Sequence, residues 1–286
     1  MNKIPTKRLN GTTLVRYGTL LALAAAIEVV TGASLHQARV SQVIQDVRLL
    51  RAHAAPRPAV VNDTVTLGEA VRTGTASRAE LTFSDLTITR LGANTIFSFE
   101  KGARDLDLTS GAILLQVPPG GAAVHVNTAA VTAAITGGTA LFATGPPTKF
   151  MVLEGIGTFY PAGHPEKAVQ VHGGEMVMLT ADGRITQPTK FDVKLVLETS
   201  RLILDFPPLA NLPLIMAVVN RQLADQQAAG ANSSPLARNL VDVIDTTDQD
   251  ANSNPILVSD RIPVPSVNPS PSVSPSPSVS PSVSPS

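Results

Sequence analysis

The sequence predicts an all-β body, and three observations predict it. Turn-forming residues recur about every 8 to 12 positions between residues 62 and 183, at Asp63, Gly68, Gly74, Asp85, Gly92, Gly102, Gly111, Gly120, Gly137, Gly145, Gly155, Gly163, Gly173 and Asp182. The stretches between them are short and alternate apolar with polar residues, the period of a strand with one face in a core. No helical stretch falls between them, so a βαβ architecture with parallel strands is not expected. A sandwich, a barrel and a solenoid all satisfy this spacing.

The body is organised around residues 65–117. Ala79, Leu81 and Phe83 share one face of a strand, and Arg78, Glu80 and Thr82 share the other. Gly74 and Gly111 sit where the chain must reverse, so both are expected at positive φ, where glycine carries no Cβ penalty. Leu81, Phe83, Phe97, Phe99 and Leu114 are expected in the core. With aromatics at 3% and no Trp, Val, Leu, Ile and Ala must fill most of that core.

Upstream, Lys3, Lys7, Arg8 and Arg16 precede an apolar run over residues 17–33, which ends in Thr31-Gly32-Ala33. That is the order of a secretory signal, with cleavage expected after Ala33. The run is shorter than the ~20 residues of a spanning helix, and Glu28 lies inside it. An uncleaved inner-membrane anchor is the alternative, and a buried amphipathic helix is a third reading. Residues 39–52 read as two short strands broken near Gln45-Asp46, because β-branched residues dominate there. A helix lined by Val40, Val43, Ile44 and Val47 is the competing reading. Pro56-Arg57-Pro58 reads as a linker or an edge crossing.

Beyond Pro188 the period changes. Residues 191–204 lack Gly and Pro and are predicted helical, with Asp192 as the cap. Leu212, Ile215, Met216, Val219 and Leu223 recur at three- and four-residue steps, which predicts one amphipathic helix ending near Ala229-Gly230. Residues 235–245 are a further short helical candidate. Residues 263–286 repeat Ser, Pro and Val without charge, the composition of an extended, disordered tail.

The chain carries no constellation that points to catalysis. Its formal net charge is zero and it has no basic patch interleaved with aromatics, so nucleic acid is not an expected partner. It has no cysteine, which excludes disulfides and thiolate chemistry. His36, His53, His125, His164 and His172 stand apart from one another in sequence, in no zinc-binding spacing. Asp105 and Asp107 share a strand face, but Leu106 and Leu108 take the inward one, which leaves the carboxylates solvated. Gly137-Gly138-Thr139 lacks the Lys of a phosphate loop, and Ser110-Gly111 is a turn and not a nucleophile elbow. Residues 248–254 resemble the start of a calcium loop, but the sixth-position Gly is missing and Ser259 stands where the bidentate Glu belongs. No catalytic, metal or cofactor residue is therefore assigned.

The same stretch resembles the FecR domain family. The likeness is carried by Gly68, by Val71-Arg72-Thr73-Gly74, by Ser77-Arg78-Ala79-Glu80-Leu81, and by Phe83 and Asp85. It continues through Leu91-Gly92-Ala93-Asn94-Thr95 and Leu108-Thr109-Ser110-Gly111. A later block adds Val126-Asn127-Thr128, Gly137-Gly138-Thr139-Ala140-Leu141-Phe142 and Leu153-Glu154-Gly155. One departure is visible: the family has Asp-Gly in the turn where this chain has Asp85-Leu86. The resemblance implies a roll or solenoid of short strands outside the cytoplasm. The expected organisation is a signal or anchor at 1–33, a β domain at 38–187 with its core at 62–160, a helical region at 188–245, and a linker and Ser/Pro tail at 246–286.

Function has two readings at this point. The first is an exported, non-catalytic FecR-domain protein, periplasmic or secreted, that binds a protein or an envelope polymer through its β surface. Arg72, Arg78, Glu80 and Arg90 are its candidate interaction surface, since alternation puts them on the polar face with both charge signs mixed. The second is a FecR-type transmembrane regulator of siderophore uptake. In that family the regulator passes a signal from an outer-membrane receptor to a cytoplasmic sigma factor. That role needs a cytoplasmic helical domain, and Met1 to Arg16 are too few to form one.

Overall fold

The computed structural model describes residues 35–99 and 104–229. The expected signal or anchor, the turn at Gly102, the helical candidate at 235–245, the calcium-like loop and the Ser/Pro tail lie outside them. The all-β expectation holds: strands run from residue 37 to residue 190, interrupted by one 3-10 turn at Pro165–Lys167, and the α-helices come after them.

The organising feature is one long hairpin. β12 (Val131–Ala143) and β13 (Thr148–Pro161) pair antiparallel over their whole length. Halfway along, the register shifts at Thr136/Thr139, where Gly137 and Gly155 take positive φ of 55° and 89°. Turns were expected at both glycines, and that is corrected here: each lies in a bulge inside a continuous strand. The bulges crease the hairpin sharply. Phe150 and Phe159 are nine residues apart on β13, roughly 30 Å in an extended strand. Their rings stack at 5.9 Å.

Each half of β12 then seeds a wing. Val124–Asn127, β11, pairs with the first half, and beside it stand β9 (Asp105–Ser110), β8 (Ile96–Phe99), β5 (Ala70–Thr73), β2 (Val47–Leu50) and β3 (Arg57–Pro58). Ala112–Val117, β10, pairs with the second half, and beyond it stand β7 (Ile88–Leu91), β6 (Arg78–Phe83), β1 (Gln37–Ile44) and β4 (Thr64–Thr66). Apart from the parallel β9/β11 pair, the pairings are antiparallel. The two wings face each other across one core. Phe83 from the second wing meets Phe99 from the first edge-on, with centroids 5.2 Å apart. Leu81, Phe83, Phe97 and Phe99 are buried as expected. Leu114 is buried too, but in a second core on the outside of the sheet.

The turns mostly join one wing to the other. β5 and β6 do not pair, so Gly74 serves a corner and not a hairpin. Its expected positive φ is also corrected: the left-handed residue of that corner is Ala76, at φ 54°. A Cβ on Gly74 would lie 3.2 Å from Asp46 Oδ2, a contact that a small shift of that side chain relieves. Gly111 does take φ 89°, and a Cβ there would stand 2.5 Å from the Thr95 Cα. Two buried threonines tie the corners together. Thr73 Oγ1 donates to Gly92 O at 2.6 Å and accepts from Thr95 N at 2.9 Å, and Thr95 Oγ1 accepts from Ala112 N at 3.2 Å. Residues 39–52 form two strands, broken at Gln45 with φ 59°.

The Asp85-Leu86 departure has a visible cost. Leu86 holds the left-handed position, φ 68°, that glycine fills elsewhere, and its side chain is 69% exposed. A left-handed non-glycine residue costs about 1 to 2 kcal/mol, and the flexibility of glycine gives back part of that. Leu86→Gly is expected to raise stability by about 0.5 to 1 kcal/mol in a urea titration. A loss of stability would show that the leucine side chain packs.

Carboxylates terminate the sheet edges. Thr66 N–H donates to Glu69, Val60 N–H to Asp63 and His172 N–H to Glu175, each three residues downstream, at 2.8 to 3.0 Å. Arg57 also grips Asp63 through both oxygens, and these bonds hold that carboxyl below its usual range. Residues 59–63 thereby bridge β3 at the edge of one wing to β4 at the edge of the other. Unpaired edges invite other strands, and these caps blunt them.

Helices cover one outer face. Asp192 caps α1 (Val193–Thr199) by accepting from Leu195 N, as the sequence predicts. One helix was expected over 191–204, but the backbone extends at Ser200 (ψ 121°) and α2 (Arg201–Leu204) starts anew. α3 (Leu212–Ala229) buries Ile215, Val218 and Val219. Met216 and Leu223, expected on its buried stripe, are 40% and 43% exposed. The second core joins these helices to Leu114, Leu141, Met151, Leu153 and Met176.

Candidate interaction surface

The four charged residues proposed from sequence do not form one surface. Arg72 lies on the first wing, half-buried on its outer face. Arg78, Glu80 and Arg90 lie on the outer face of the second wing and are 2%, 7% and 1% exposed. Their expected solvation is corrected, and the reason is the helical layer laid over that face.

There they hold the helices down. Arg90 Nε donates to Glu80 Oε2 at 2.8 Å, Nη1 to Leu202 O at 3.0 Å and Nη2 to Pro207 O at 2.6 Å. Its guanidinium lies 4.9 Å from the centre of the Phe206 ring, within range of a cation–π contact. Glu80 Oε1 also accepts from Ser41 Oγ at 2.8 Å. Arg78 pairs with Asp205 at 3.3 Å, and Arg201 pairs with the same carboxylate at 3.1 Å. Burial pushes the Arg90 guanidinium down from its ordinary value, while the bond and charge of Glu80 oppose that shift. A second buried set fixes the start of α3: Asn211 Nδ2 and Thr139 Oγ1 both donate to Glu154 Oε1 at 2.9 Å. The signal for this cover was in the sequence. Phe191, Val193, Val196 and Leu202 need an apolar face to pack on, and Leu114 shares its outward row with Gln116.

Among the described residues, the outer face of the first wing has no such cover. Its outward residues, from Arg48 and Arg72 through Ile96 and Ser98 to Asp107 and His125, are half-exposed. Strand pairing aligns Arg48 with Arg72 and Ile96, and aligns Ser98 with Asp107 and Asn127. The face therefore carries Arg48 and Arg72 on β2 and β5, with Arg48 paired to Asp46 at 3.0 Å, and Asp105 and Asp107 on β9. Five strands make it roughly 19 Å across. Asp105 Oδ1 and His125 Nδ1 are 3.1 Å apart at its acidic side. Asp105 and Asp107 are on the solvated face as expected. Among the described residues no three His, Cys, Asp or Glu side chains converge as a metal site would require.

Residues 69–156 match the family described as FecR protein. That span runs from the start of β5 into the second half of β13, so it takes in the crease and the strands of each wing nearest to it, but not β1 to β4. This part of the chain is a FecR domain. Two crystal structures of a chain from Parabacteroides distasonis ATCC 8503, provisionally described as an anti-sigma factor, are similar at 16% identity and a TM-score of 0.39. The matches cover 44% and 46% of this chain and 62% and 64% of that one, less than two thirds of its length. No curated protein matches the sequence.

Proposed function

We propose that this is an exported, non-catalytic FecR-domain protein that binds another protein through the outer face of its first wing. The observation that carries the reading is the asymmetry of cover. Among the described residues, helices bury one outer face of the sheet and leave the other open, with arginines toward one side and aspartates toward the other. Such a bipolar face orients a partner of complementary charge and rejects the reversed pose. The FecR domain and the signal-like N-terminal sequence both fit a place outside the cytoplasm. Among the described residues no helix is long and apolar enough to cross a membrane.

The test is capture of partners from the native envelope with the wild-type protein and with Arg72→Glu combined with Asp105→Lys. The double reversal is expected to reduce capture of the specific partner about tenfold or more while the melting temperature holds. Undiminished capture by the folded variant would remove this face as the binding surface. Hydrolysis of an envelope polymer by the purified protein would end the non-catalytic reading. Export has its own check: mass spectrometry should find a mature N-terminus near Ser34, and an intact Met1 on a cytosolic protein would refute it.

A further inference from the structure

We propose that the groove between α1 and α3 is the seat of the chain's own residues 235–245, which lie outside the described residues. The groove has a volume of about 360 Å³. Leu195, Val219 and Leu223 supply its apolar lining, and Lys194, Glu198 and Gln226 its polar sides. From Leu223 through Ala228 every α3 residue is exposed. Leu223 is 43% exposed, an apolar side chain on a helix whose opposite face is already packed.

The place where the described chain ends, and the sequence downstream of it, select the occupant. α3 ends at Ala229, beside the groove-lining Gln226. Gly230-Ala231-Asn232-Ser233-Ser234 come next, a length ordinary for the connection of two antiparallel helices. Ser234 before Pro235 is a helix-start signal, and Leu236, Leu240, Val243 and Ile244 then fall on one helical stripe. Eleven residues of helix reach about 16 Å, and the stretch of α3 from Ala229 back to Val219 spans about 15 Å. The returning stripe sets Leu240 against Leu223, and Val243 against Val219 and Leu195. Arg238 and Asp242 fall on the opposite side of that helix, away from the stripe.

The chain has no native cysteine, so engineered pairs read this placement in the full-length protein. Leu223→Cys with Leu240→Cys should oxidise to a disulfide within one chain about ten times faster than Leu223→Cys with Asp242→Cys, which points the second thiol to the far side of the helix. Equal rates would mean a tethered but undocked segment and would overturn the proposal. Covalent dimers from Leu223→Cys alone, formed at rates matching the intramolecular pair, would place a second copy in the groove and would overturn it as well. An independent reading needs no cysteine. Ending the chain at Ala229 should raise binding of an apolar-surface dye several-fold while the sheet stays folded, and unchanged dye binding would count against the docked segment.

Discussion

Gly155→Ala is expected to lower stability by about 3 kcal/mol or more, whereas Gly120→Ala lowers it by about 1 to 2 kcal/mol. Both glycines have positive φ, 89° and 76°, so backbone strain is common to both substitutions. What differs is space. A Cβ on Gly120 meets nothing within 4 Å, but one on Gly155 would stand 2.8 Å from Gly137 O and 3.0 Å from the Gly138 Cα. Those atoms are backbone of the partner strand, so they cannot swing aside. Relief requires the crease itself to open, and both wings hang on the crease. Gly138→Ala probes the same contact from the other strand, since its Cβ would lie 2.6 Å from Glu154 O. Urea titrations of the three variants give the comparison. If Gly155→Ala costs no more than Gly120→Ala, the crease is not a close-packed point.

Arg90→Met is expected to cost about 3 to 5 kcal/mol, because it leaves the buried Glu80 carboxylate without its counter-charge and removes a donor from the Leu202 and Pro207 carbonyls. A solvated arginine on a strand face, as alternation alone would suggest, would cost under about 0.5 kcal/mol. The two pictures therefore differ by an amount any denaturant titration resolves. Removing the acid as well restores balance: Arg90→Met with Glu80→Met should be less destabilised than the sum of the single changes, since no lone charge is left behind. Strict additivity would show that the two side chains do not act as a pair.

Alternation made the strands legible, and with them the inward residues Leu81, Phe83, Phe97 and Phe99. The break at Gln45-Asp46 and the cap at Asp192 could also be read, because each depends on local chemistry. Three things could not be read locally. Glycine marks a turn and a bulge equally well, so Gly137 and Gly155 gave no hint that they lie inside strands of 13 and 14 residues. Alternation tells which side of a strand faces a core, but not whether the other side has a second cover. Arg78, Glu80 and Arg90 were misplaced for that reason. Nor does a helical repeat fix which edge of its stripe meets the sheet or how far the helix runs past its support: Met216 lies beside the buried Ile215 yet faces out, and Leu223 lies past the support.

The crease also sets an order of events for a chain made from its N-terminus. Every strand of both wings, residues 37–127, is synthesised before the hairpin at 131–161 that joins them. Until then β10 and β11 have exposed sides, with Ile113, Leu115, Val124 and Val126 still to be covered. Half-made chains of this kind are prone to pair with one another. Once the hairpin emerges it can close locally, because only residues 144–147 separate its strands. The last strands and the helices then settle on a sheet that already has both wings. Release of the chain as a whole, after residue 161 and its cover have emerged, is the safe schedule that this topology imposes.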